Sequence, residues 1–236
     1  MIPVGNDNAG RASAPATTAL ILICVAVFLR ELLLPPGETE QFLTRWGLIP
    51  ARLWTPETLF DTPRLWLRRA LLPVFTSMFL HGGFLHLLGN TWSLWLFGRT
   101  LETRLGTWRY LWFYLTCGFS AGLLHAALHA HSTLPTIGAS GAIAGVMGAY
   151  FLLFPFHWIT FVIPVFFIPV FIKLPAVCYL LFWIVTQVAG GFQTLANGNP
   201  AAGGIAFWAH VGGFASGMLL GRRLRPRRTG RRPGRA

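Results

Sequence analysis

Ser140 sits in Gly138-Ala139-Ser140-Gly141 at the start of an apolar run, and a serine there can either pack or attack. Packing is the common outcome, because small residues let helices approach in lipid and a hydroxyl easily finds a carbonyl. Attack on a carbonyl needs a base, since the free alcohol is a weak nucleophile, and donors aimed at the developing oxyanion. His210, in Trp208-Ala209-His210, is a candidate general base, and desolvation favours the neutral imidazole this role requires. His86 and Asn90 stand four residues apart on one helix face and are candidate side-chain donors. The Ser140 backbone N–H, at a helix N-terminus, is a third. No Asp or Glu follows Glu102, so nothing acidic is placed to orient His210, and the pattern is that of a Ser–His dyad. It is not the nucleophile elbow of soluble hydrolases, because position 142 is Ala rather than Gly.

These residues need rigid elements to hold them, and composition says which kind. Of 236 residues 54% are hydrophobic and 11% charged, against about a quarter charged in soluble domains, which marks a membrane protein. At roughly 20 residues per crossing the chain can hold six spans, expected at about 17–34, 74–98, 108–130, 138–154, 176–196 and 204–221. Residues 1–16 read as a flexible lead-in, and Pro35 to Pro73, with Trp46, Trp54 and Trp66, as a long first loop in the interfacial belt. Ile159 to Ile172 is short and interrupted by Pro164 and Pro169, which suits an interfacial or re-entrant segment. Gly190 to Gly204 reads as a mobile loop.

Glycines at 138, 141, 145 and 148, and at 213, 217 and 221, recur in steps of three and four and predict close helix packing, with His210 on the second glycine face. Eight of the 19 basic residues lie between Arg222 and Arg235, so the net charge of +12 reflects an Arg-rich tail, 222–236, expected in the cytoplasm. Lacking interleaved aromatics, the tail does not point to nucleic acid. A cytoplasmic tail and six spans put the N-terminus in the cytoplasm and Asn90, Ser140 and His210 all toward the outer side. Cys24, Cys117 and Cys178 read as buried small hydrophobes, and His125, His129 and His131 lack the partners of a metal site.

Three motifs together carry a resemblance. His86-Leu-Leu-Gly-Asn90, Gly138-Ala-Ser140-Gly141 and Ala209-His210-Val-Gly-Gly213-Phe-Ala-Ser-Gly217, with Leu101-Glu-Thr-Arg-Leu-Gly106, resemble the rhomboid family of intramembrane serine proteases. The resemblance implies an all-α membrane protein, a rhomboid-like bundle of six transmembrane helices with a long interfacial first loop. It implies Ser140 as nucleophile, His210 as general base, and Asn90 and His86 lining the oxyanion site. It also implies a mobile loop capping the site, membrane-anchored proteins cut in or near a transmembrane helix as substrates, and no metal or cofactor. Two positions depart from the family pattern. Ala144 stands where many rhomboids carry an aromatic ring that packs on the histidine, leaving open what orients His210, and the Trp-Arg pair of the first loop has no match at the expected distance before His81. The alternatives are a catalytically silent rhomboid-like protein that binds membrane clients, and a small channel or transporter, which the absence of repeat symmetry disfavours. The preference for Arg over Lys and the lack of an organelle leader point to a bacterial inner membrane.

Overall fold

Long segments that are apolar on every side form helices whose backbone groups pair internally, the arrangement lipid requires. The computed structural model describes residues 2–6, 13–35, 37–54, 62–166, 168–196 and 205–223. In chain order these form β1 (Ile2–Asn6), α1 (Pro15–Leu32), α2 (Glu38–Trp46), α3 (Ala51–Trp54), α4 (Pro63–Phe79), α5 (Phe84–Leu105) and α6 (Thr107–Leu128). They continue with α7 (Ser140–Leu153), β2 (Trp158–Val165), β3 (Ile168–Pro175), α8 (Ala176–Ala196) and α9 (Phe207–Arg223). Among the described residues α1, α6 and α8 are long and apolar enough to cross a membrane, and α4 with α5 makes a fourth candidate, bent by 81°. Trp112, Phe182 and Leu219 are exposed on the outer surface, as lipid-facing residues are.

The shorter helix α7 is the hub, with every residue from Gly141 to Tyr150 buried. It is enclosed by α6, α9 and part of α5. The Leu101–Gly106 motif has a structural role. The buried Glu102 accepts hydrogen bonds from the backbone N–H groups of Ala16 (2.9 Å) and Thr17 (2.8 Å), so a carboxylate caps the N-terminus of α1. The first loop is ordered where it is described. Leu48 and Thr136 exchange backbone hydrogen bonds, and Ala51 N–H donates to Ser132, fastening the loop to the segment that leads into α7.

Several expectations change. The fold is not purely helical: Trp158–Val165 and Ile168–Pro175 form an antiparallel hairpin, joined by β1 in the order β1-β2-β3. Residues 159–172 are therefore a hairpin. Prolines bar a helix there, while Val, Ile and Phe favour strand. Residues 2–6 of the lead-in are not flexible, since they pair with β2 and the Asn6 side chain donates to Leu96 O at 2.6 Å. This strand is too short to be read without its partner. The second membrane-length helix starts at Phe84 rather than Val74, because Gly82-Gly83 breaks the path. The break also brings the His81 ring to 5.1 Å from the His86 ring, centroid to centroid, although residues five apart on a continuous helix point in different directions. Helix α8 runs on through Gly190-Gly191 to Ala196, so the first part of the expected mobile loop is helical. Residues 197–204 of that loop and 224–236 of the tail lie outside the described residues. Cys24 and Cys117 are buried, but Cys178 is exposed on α8.

Candidate active site

The glycines of α7 and α9 bring two backbones together. A Cβ on Gly213 would strike the carbonyl of Gly141, one on Gly217 the carbonyl of Gly145, and one on Gly221 would meet Ala149. Both helices climb this seam in steps of four in the same direction, so α7 and α9 are parallel. Ser140, first residue of α7, and His210, fourth of α9, therefore sit at the same end. One long helix, α8, lies between them in sequence, and the β2–β3 hairpin returns the chain to the end from which α8 must start.

Ser140 and His210 line one cavity of about 800 Å³, together with His86, His125, Trp183, Gln187, Ile205 and Phe207. Among the described residues no hydrogen bond joins the Ser140 hydroxyl to His210; the two meet as neighbours on the wall of this cavity. At the start of α7 the Ser140 N–H has no helical acceptor, as for any first-turn amide.

Gly138 ties the donors to this point. Its φ of +121° is one that side-chain-bearing residues avoid. A Cβ there would lie 2.8 Å from His86 Nε2 and 3.8 Å from Asn90 Nδ2. The ring and the amide from α5 thus approach the backbone two residues before Ser140. Asn90 is buried and its Nδ2 donates to the His86 carbonyl at 3.0 Å, which fixes the amide's direction. The Gly138 N–H donates to Ser77 O at 2.8 Å, anchoring the turn to α4. His125 also reaches the rim, its Nε2 lying 3.0 Å from the Thr136 hydroxyl.

Two residues absent from the sequence reading touch His210. Its Nδ1 lies 2.7 Å from Gln187 Oε1, and the Trp183 ring lies 5.7 Å away, centroid to centroid, tilted by 34°. Both come from α8, one turn apart. The sequence signal was a glutamine in the middle of an apolar span, a place where a polar group needs a partner. Ala144 is fully buried in the α7–α9 seam, and a Cβ on Gly213 would meet its Cβ at 3.3 Å. An aromatic ring at 144 has no room, so the flat surface beside His210 comes from α8 instead.

The family profile described as Rhomboid domain matches residues 68–227, more than half of the chain. RHOMBOID-like protein 1 of Arabidopsis thaliana is 31% identical over 148 residues, covering 63% of this chain and 33% of that protein. The mitochondrial Rhomboid protein 1 of Saccharomyces cerevisiae is 30% identical over 155 residues, 64% of this chain and 41% of the yeast protein. The rhomboid protease GluP of Bacillus subtilis is 40% identical over 76 residues, 32% of this chain and 14% of that one. The chain spans less than half the length of these curated relatives.

Proposed function

The chain belongs to the rhomboid family, and from that premise we propose that it is an intramembrane serine endopeptidase working through a Ser140–His210 dyad. The observation that carries this reading is the parallel glycine seam, which delivers a serine and a histidine from two helices to one cavity. In the proposed reaction His210 takes the proton of the Ser140 hydroxyl as its oxygen attacks the scissile carbonyl. His86, Asn90 and the Ser140 N–H receive the oxyanion, and donors of this kind are worth about 3 kcal/mol each. Collapse breaks the peptide bond, His210 passes the proton to the leaving amine, and water releases the acyl group by the same route.

We read the bundle as six spans, α7 and α9 being the short central ones beside α1, α5, α6 and α8. Substrates would be membrane-anchored proteins cut in or near a transmembrane helix. The proposed setting is a bacterial inner membrane, with both termini in the cytoplasm and the cavity toward the outer side.

The test is co-expression with a tagged single-span reporter. Wild type is expected to release the tag, while Ser140→Ala and His210→Ala leave the reporter whole. Cleavage that persists in both variants contradicts the dyad. Intact reporter with every version, co-purifying with the protein, favours the client-binding alternative.

A further inference from the structure

We propose that Gln187 is the positioning residue of this site, holding His210 in the one neutral tautomer that can act as a base. The proposal rests on the dyad reading above and supplies what the sequence left open beside Ala144.

The orientation of the Gln187 amide follows from its far end. Its Nε2 lies 3.1 Å from Thr186 Oγ1 and 3.4 Å from the Trp183 carbonyl, while the Thr186 hydroxyl itself donates to that carbonyl at 2.7 Å. A carbonyl only accepts, and a hydroxyl whose proton is already given has only lone pairs to offer. Both neighbours therefore call for an amide N–H, which places the Gln187 oxygen against His210. A ring nitrogen 2.7 Å from an acceptor oxygen must carry the proton, so Nδ1 is the donor. A neutral imidazole has one N–H, which leaves Nε2, across the ring, as the basic nitrogen.

Burial makes this arrangement specific. Gln187 is only 8% exposed, and an unpaired amide there would be costly, so both of its ends are committed. The Trp183 ring, one turn earlier on α8, closes a side of the imidazole and limits its rotation. Gln187 so does the orienting work that a carboxylate does in a catalytic triad, but without charge.

Two measurements test this. In proteoliposomes, Gln187→Leu is expected to lower kcat for the reporter about 10- to 100-fold with KM little changed, as loss of such orienting partners does elsewhere. Gln187→Glu keeps the acceptor toward Nδ1 but gives up the N–H donated to Thr186 and the Trp183 carbonyl, and is expected to lose clearly less activity than Gln187→Leu. Equal losses in the two variants would overturn the proposal. Independently of turnover, 15N-histidine NMR of the protein in micelles reads the tautomer directly, with the His210 signal assigned by its loss in His210→Ala. The wild-type ring is expected to be protonated at Nδ1, and Gln187→Leu to populate the Nε2-protonated form. An Nε2-protonated wild-type ring, or a tautomer unchanged in Gln187→Leu, would refute the role. If reporter cleavage survives His210→Ala, the dyad reading has failed, and the spectrum still decides what Gln187 does to the ring.

Discussion

Helix α9 is held in opposite ways on two sides. Against α7 it meets backbone: Gly213 and Gly217 lie on the carbonyls of Gly141 and Gly145, with no side chain between them. Against α8 it meets side chains: the rings of Phe207 and Trp208 lie over Gly190 and Gly191, and His210 reaches Gln187 and Trp183. Backbones cannot turn aside, whereas rings and amides can. The first contact fixes where His210 starts from and the second fixes how its ring is turned, so stability and reactivity should separate between the two faces.

The largest stability effect is expected from Gly217→Ala, whose methyl would enter the carbonyl of Gly145. Overpacking typically costs about 1–3 kcal/mol, and a backbone obstacle puts this variant at or above the top of that range, read as the unfolding midpoint in detergent. Ala144→Tyr comes next at about 2 kcal/mol, because the ring has no space beside Gly213, and the added aromatic is expected to lower activity rather than improve it. Trp183→Ala should show the reverse pattern, with kcat for reporter cleavage falling about 10-fold, or about 1.4 kcal/mol, and a smaller change in the unfolding midpoint. Gly190→Ala should matter least. The atoms nearest its methyl, at 2.5–2.8 Å, belong to the Phe207 ring, which can turn aside, and the gain in helix propensity, about 1 kcal/mol, offsets that shift. A Gly190→Ala variant as damaged as Gly217→Ala would erase the contrast between the faces.

The α7–α9 face was legible in the sequence and the α8 face was not, for a physical reason. Glycines in steps of four at 141, 145, 213 and 217 leave a periodic trace, and a helix seam has no simpler way to bring backbones together. Gln187 leaves no period: one polar residue in α8 says that a partner exists but not which one, and His210 is its partner only because α8 packs on α9. Cooperation between distant segments hid other elements in the same way. The strand Ile2–Asn6 exists because residues 159–162 wait for it, and Glu102 in the family motif caps a helix 85 residues away in the chain. His81 returned to His86 because Gly82-Gly83 broke a helix that apolar content alone would have continued.

In the proposed dyad Ser140 is a nucleophile because His210 makes it one. Mass-spectrometric mapping of the purified protein after treatment with a fluorophosphonate probe tests it without a substrate. A Ser140–His210 dyad is expected to give a single adduct on Ser140 that disappears in His210→Ala. Labelling of Ser140 that is undiminished in His210→Ala, or no adduct on Ser140 in folded wild type, would contradict it.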